Sequence, residues 1–366
     1  MLETSITEAR KLVNRFYSER IPLYLWGRPS TGKTTIIREF AKEMAGKLKL
    51  KYSEDEYGDD IFTMKVIPLS QFDAPDLRGL PKISGEETEF LPTKELPRKG
   101  QGIVFFDELN LADDTVRAAC YSYILEGRYS NLPPVRKNGV DSFWRVAASN
   151  QEQDHCNVNN TSLALLRRFA HINVIPNITE VLNYFQEKDV DTRVLSYLAT
   201  FNSDLFPAKW DEKLLEEKAN PFPSTWEMTS RLIKDVKNNK EIYSIAAACV
   251  GPMVASKFKG FLDKIGKISV EELLKSPKEY IAKITKENDS SSLLYALIYE
   301  VADLWKKTEK IKVPVLIEIE ENLNPEFATA LIMMTIKHRT QTLKKEKRFQ
   351  DLLKKLGNLL VDLEIM

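Results

Sequence analysis

The stretch GRPSTGKTT, residues 27–35, follows the apolar run of residues 21–26 and precedes IIREFAKEM, in which Ile36, Ile37, Phe40, Ala41 and Met44 recur at helical intervals. Gly27-x-x-x-x-Gly32-Lys33-Thr34 between a strand and a helix has the spacing of a phosphate loop. Its glycines let backbone N–H groups approach phosphate oxygens, and the helix N-terminus adds partial positive charge. The expected nucleotide-binding residues are therefore Gly27, Arg28, Pro29, Ser30, Thr31, Gly32, Lys33, Thr34 and Thr35. Lys33 is expected on the β- and γ-phosphates of ATP, and the Thr34 hydroxyl on Mg2+.

A phosphate loop hydrolyses nothing alone; it needs a carboxylate for the metal and a base for water. GIVFFDELN is the most hydrophobic strand candidate, and its four apolar residues place Asp107 at the carboxyl end of a buried strand, aimed at Mg2+, with Glu108 beside it as the base. VAASN ends in Asn150, whose amide both donates and accepts and so suits the positioning of a lytic water. LLRRFAHINV offers Arg168 and Arg167 just before the last strand, where an arginine can pair with a γ-phosphate held by a neighbouring subunit. Alone, Asn150 reads as a turn former and the arginines as surface ion pairs. The motifs upstream give them weight.

With IFTMKVIPL, FWRVAASN and HINVI as further strands and TVRAACYSYILEG as a helix, the alternation predicts a parallel α/β sheet through about residue 175. After Pro176, helical patterns at 178–185, 190–201 and 226–236 replace the strands, and residues 201–226 read as a long loop with one short helix. A chain of 366 residues implies two or more domains. Lys plus Arg and Asp plus Glu both number 53, so overall charge steers the chain toward neither nucleic acid nor anionic lipid. The charged start MLETSITEARK is unlike a signal peptide, and no long uncharged apolar run is present; a cytoplasmic protein without a membrane span is expected. The three cysteines form no C-x-x-C pair, and His155 beside Cys156 reads as an ordinary loop pair without a metal. Near the end, Phe349, Leu352, Leu353, Leu356, Leu359, Leu360 and Leu363 form one apolar helical face expected to pack on its own domain. The basic cluster from Lys337 to Arg348 reads as a solvated helix face.

Taken in order, GRPSTGKTT, GIVFFDELN, VAASN and LLRRF resemble the Walker A, Walker B, sensor 1 and arginine-finger segments of AAA+ ATPases of the MoxR-like branch, over roughly residues 1–260. DAPDLRGLP is similar to that branch's insert in helix 2, and ILEGRYSNLPPVRKNGVDSFWRV to its hairpin before sensor 1. The resemblance implies a P-loop NTPase AAA+ core at 1–176 with a five-stranded parallel sheet in the order 5-1-4-3-2, an α-helical lid at 177–260 and a helical C-terminal region at 261–366. It also implies a homo-oligomeric ring, usually hexameric, with ATP at each boundary. Asp107 and Glu108 then take the Walker B roles, Asn150 that of sensor 1, and Arg168 that of the finger, with Arg167 second. In one place the chain departs from the pattern: PFPSTWEMTSRLI carries Ser224 where the sensor 2 arginine is expected, and Arg231 lies seven residues further on.

The implied function is a Mg2+-dependent ATPase ring that remodels or loads a protein client, as in relatives that work with a von Willebrand factor A domain protein. Two alternatives are a nucleic-acid motor or loader and a nucleotide-gated scaffold with slow turnover. The first is opposed by Glu86, Glu87 and Glu89 in one insert and favoured by the basic PPVRKNG in the other. The second is opposed by Glu108 and favoured by the missing sensor 2 arginine.

Overall fold

The computed structural model describes residues 1–128, 132–150, 162–207, 218–266, 268–336, 338 and 340–356. In chain order its strands are β1 (Leu2–Thr4), β2 (Leu23–Trp26), β3 (Lys51–Ser53), β4 (Ile61–Pro68), β5 (Leu80–Ser84), β6 (Glu87–Leu91), β7 (Gln101–Asp107), β8 (Arg136–Lys137), β9 (Val140–Asp141), β10 (Phe143–Ser149) and β11 (Ala170–Val174). Seven of these form one sheet in the order β1-β11-β2-β10-β7-β4-β3, every adjacent pair parallel. The central run β11-β2-β10-β7-β4 is the expected 5-1-4-3-2 order. The expectation of five strands is corrected to seven, because β1 and β3 extend the two edges. Each has only three residues, one or more of them charged or polar, so neither shows the alternation that marks a strand. Short polar strands also suit sheet edges, where they resist pairing with other chains.

Helices cover both faces, and β7 shows how. Ile103 and Phe105 join a core with Ala9 and Val13 of α1 (Ile6–Ser18) and with Ile36, Ile37, Phe40 and Ala41 of α2 (Lys33–Leu48). Val104 and Phe106 point the other way, onto Leu77 of α3 (Ala74–Arg78), Val116, Cys120 and Ile124 of α4 (Asp114–Glu126) and Leu165 of α5 (Leu163–Leu166). A strand buried on both sides must be apolar at consecutive positions, which is why GIVFF does not alternate. At the start of α1, Ser5 and Glu8 form a capping box, and Glu180 accepts from the N–H groups of Ile6 (3.1 Å) and Thr7 (2.9 Å). Together these claim several orphan donors of the first turn and stabilise the helix by about 1 kcal/mol or more.

The described residues divide into two compact units, Met1–Glu180 and the part from Val181 onward. Among the described residues no strand follows β11. Instead come α6 (Ile178–Glu187), α7 (Thr192–Thr200), α8 (Pro223–Ile233), α9 (Asn239–Val250), α10 (Pro252–Ile265), α11 (Val270–Lys275), α12 (Pro277–Thr285), α13 (Ser290–Lys307), α14 (Val313–Asn322), α15 (Pro325–Ile336), α16 (Thr340–Lys345) and α17 (Lys347–Lys355). Trp226, Phe258 and Phe261 pack tilted or edge-on around the Tyr197 ring in one aromatic cluster of this unit, and the Tyr197 hydroxyl donates to the buried Asp204 carboxylate at 2.5 Å. Farther along, Glu320 of α14 is fully buried and accepts from the Thr335 hydroxyl of α15 at 3.3 Å. The last helix among the described residues, α17, buries Phe349 and Leu352, while Arg348 pairs with Glu321. Leu359, Leu360, Leu363, Lys337, Arg339 and the His155–Cys156 pair lie outside the described residues. No helix among the described residues is long and apolar enough to cross a membrane.

Candidate functional site

The backbone after β2 turns sharply, and glycine is what permits it. Gly27 has φ of +152°, and a Cβ there would lie 2.7 Å from the Val174 carbonyl oxygen of β11. Gly32, at φ +84° and ψ +13°, is the left-handed residue from which α2 starts, and no side chain caps the helix there. Between them, buried Thr31 donates to the Arg28 carbonyl at 2.9 Å, which closes the loop on itself, while Arg28 and Ser30 are exposed and Pro29 and Thr35 half-buried. An uncapped helix N-terminus behind a glycine-bounded loop is a ready-made anion site.

Lys33 lies at the centre of the arrangement. Its ammonium donates to the carbonyls of Gly27 (2.7 Å) and Arg28 (2.9 Å) and to the Asn150 side-chain oxygen (3.0 Å). Thr34 donates to Asp107 at a longer 3.4 Å. Residues 117 positions apart thus share one hydrogen bond, because β10 lies directly beside β2 in the sheet. Burial raises the Asp107 carboxyl above its ordinary value; the Glu108 amide bond and the Lys33 charge oppose that shift, and the Glu108 carboxylate adds to it. A poorly solvated carboxylate facing a threonine hydroxyl is a hard oxygen pair whose charge a divalent cation would compensate. Thr34 and Asp107 are oxygen donors from two side chains, which fits Mg2+, an ion that takes one or two protein ligands and completes its shell with water and phosphate.

Glu108 follows with φ of +56°, a conformation that costs a non-glycine residue of order 1 kcal/mol and that clusters at functional sites. Its amide donates to Asp107 at 3.1 Å, and its carboxylate accepts from the hydroxyl of Ser70, just beyond the end of β4. The next turn is stitched to β10. Leu109 N–H donates to the Ala148 carbonyl (3.3 Å), Asn110 N–H to Ser149 Oγ (3.2 Å) and the Asn110 amide to the Asn150 carbonyl (2.9 Å). Ser149 spends its own hydrogen on the Ala148 carbonyl, so the Tyr24 hydroxyl, 2.8 Å away, is the donor to Ser149 Oγ. Ser70, Asn110, Tyr24 and Ser149 were not among the residues read from the sequence. Ser70 had a signal: in the expected strand order β4 flanks β7, and the pairing of Pro68 with Asp107 brings the residues just past both strands together.

Thr31, Lys33, Thr34, Asp107, Glu108 and Asn150 thus meet at the carboxyl ends of β2, β7 and β10. Arg167 and Arg168 are not part of that hydrogen-bonded group; both are exposed in the turn from α5 to β11, held by Arg167 N–H to Leu163 and Arg168 N–H to Leu165, each at 3.1 Å. Ser224 and Arg231 belong to α8 of the second unit.

The fold and site together define a parallel α/β protein of the phosphate-loop kind. No protein-family model matches the chain, and no curated protein matches it. Among solved structures, it is similar to Aeropyrum pernix ORC2 in ADPNP–ADP complexes, at 12% identity and a TM-score of 0.40, over 92% of this chain and 94% of that one. It is also similar to Brucella abortus NtrX in complex with ATP (11%, 0.38, 88% and 69%) and to the Thermotoga maritima Holliday junction branch migration motor RuvB (14%, 0.32, 77% and 75%). Likeness at these scores decides nothing about activity, which rests on the site's own geometry.

Proposed function

We propose that the chain is a Mg2+-dependent ATPase of the AAA+ type and MoxR-like branch, working as a ring that remodels a partner protein. The observation that carries this reading is the bond from Lys33 to Asn150 beside the Thr34–Asp107 pair. It gathers a lysine, a carboxylate with its hydroxyl partner and an amide within one cluster, with the Glu108 carboxylate adjoining, which is the set of groups such an ATPase needs. Lys33 would hold the β- and γ-phosphates, and Thr34 with Asp107 the metal, which when bound neutralises charge on the phosphate oxygens. Glu108 would take the proton of the attacking water, its carboxylate steadied by Ser70, and Asn150 would hold that water in line. Arg168 would complete the site of a neighbouring subunit, with Arg167 as its second.

A protein client is favoured by the β5–β6 hairpin. Every residue of both strands is exposed, including Leu80, Ile83, Phe90 and Leu91, and Glu87 and Glu89 on β6 would repel a phosphate backbone. In the β8–β9 hairpin Arg136 is paired with Asp141 at 3.2 Å, which lowers its value as a nucleic-acid contact.

The test is steady-state ATP hydrolysis alongside ATP binding. Lys33→Ala should abolish binding in a folded protein, whereas Glu108→Gln should bind ATP and hydrolyse it at least about 100-fold more slowly. Wild-type protein that binds ATP without turning it over would instead make the chain a nucleotide-gated scaffold.

A further inference from the structure

Trp26 is the last residue of β2, one before Gly27, and Leu166 is the last residue of α5, two before Arg168. His171 on β11 touches both. An indole N–H only donates, so the 2.9 Å contact from Trp26 Nε1 makes His171 Nδ1 an acceptor. The ring hydrogen then sits on Nε2, which donates to the Leu166 carbonyl at 2.7 Å. That carbonyl also accepts from the Phe169 N–H at 3.1 Å, so the imidazole occupies its second lone pair. One ring therefore joins the strand that feeds the phosphate loop to the turn that carries Arg167 and Arg168.

The surroundings leave this link little slack. Tyr24 stacks on Trp26 with ring centres 4.2 Å apart, lies 5.5 Å from His171 and 5.3 Å from Phe169, and is the register partner of His171 across the β2–β11 pair. Its hydroxyl reaches Ser149, next to Asn150. Close-packed rings transmit a displacement because they have no void to absorb it. A shift at the end of β2 would reach the imidazole through the Trp26 bond, and the Leu166 carbonyl through the imidazole.

We infer that Trp26 and His171 are positioning residues that couple the phosphate loop of one subunit to the arginine this subunit presents to its neighbour. The inference rests on the reading of Arg168 as a finger acting across a boundary. Binding free energies coupled in this way are reciprocal, so the neighbour's nucleotide would also bias the loop.

Three variants test it in the full chain. His171→Phe keeps a ring in the stack and removes both hydrogen bonds; His171→Gln keeps an acceptor and a donor; Trp26→Phe removes the indole donor. His171→Phe and Trp26→Phe should leave ATP affinity within about threefold and lower turnover about 10- to 100-fold, the size expected when a reacting group moves by about 1 Å. His171→Gln should recover most of the rate. The decisive measurement repeats His171→Phe and Trp26→Phe in an Arg168→Ala background, where a residue acting through Arg168 has nothing left to position and should change the remaining rate by less than about twofold. Wild-type turnover in both single variants, or an undiminished fall in the Arg168→Ala background, overturns the coupling while leaving the finger intact. Wild-type turnover in Arg168→Ala itself overturns the finger reading, and the coupling with it.

Discussion

Replacing Asn150 with aspartate would put a negative charge about where the amide oxygen now accepts from Lys33 at 3.0 Å. At an effective dielectric of about 20 the attraction at that distance is at most about 5.5 kcal/mol. Partial exposure and the cost of desolvating a new carboxylate reduce the usable part to about 1–3 kcal/mol. That attraction works against ATP, because Lys33 must leave it and the triphosphate brings like charge to the same place. At about 1.4 kcal/mol per decade, ATP should bind about 10- to 100-fold more weakly. Asn150→Ala removes a neutral amide and adds no charge, so its affinity should stay within about threefold of wild type while turnover falls. Calorimetric titration with Mg2+ and ATP at about 50 and 500 mM salt separates the cases, because the Asn150→Asp penalty should shrink as screening tightens. If Asn150→Asp binds ATP as tightly as wild type at low salt, Lys33 does not hold the phosphates and the assignment of the loop fails.

Gly27→Ala forces a Cβ to 2.7 Å from the Val174 oxygen at φ +152°, and should cost about 2–3 kcal/mol in urea unfolding. Gly32→Ala meets open space at φ +84° and should cost about 1 kcal/mol; equal losses would refute the difference read from the backbone. Arg168→Ala and Lys33→Ala should each be nearly inactive alone and regain activity when mixed into one assembly, since about a quarter of boundaries then pair an intact lysine with an intact arginine; no recovery in verified mixed assemblies counts against a finger in trans. Burial pushes the Glu320 carboxyl up to about 8, so the folded chain keeps a proton there that the unfolded chain loses at about 4.3. The stability it contributes is therefore present at low pH and lost as pH rises from about 4.3 to about 8, and Glu320→Gln should flatten that fall in unfolding midpoints measured at pH 5, 6.5 and 8. Parallel profiles for the two proteins would refute it.

Much of the sheet was legible because its strands announce themselves differently from its helices. IVFF could be read as doubly buried from its unbroken apolarity, and the phosphate loop from glycines at two positions where the backbone does take positive φ. Single-residue reasoning could not reach Trp26 and His171. Their contact depends on the register in which Tyr24 faces His171, and nothing local to either residue signals a partner 145 positions away. The edge strands β1 and β3 escaped for the opposite reason, being too short for any period to show. Asn110, three residues past Asp107, carries no local signal of its own. Its role as the stitch between the strand ends needs β7 and β10 to be neighbours, which is a property of topology.

The position of β2 between β10 and β11 also bears on biosynthesis. Residues 23–26 leave the ribosome well before both strands that pair with them, which are drawn from residues 143–149 and 170–174. At about 5–20 residues per second the phosphate-loop strand waits about 7–30 s for its neighbours. Until β10 emerges, after about 6–25 s, Tyr24 and Leu25 lie on a strand with neither of these partners, the kind of segment that mispairs with other chains. Contacts of such sequence separation also slow folding, since loop closure must come before they form. ATP affinity in a series of C-terminally shortened nascent chains would therefore appear only once β11 has emerged, which makes nucleotide binding a reporter of when the sheet is complete.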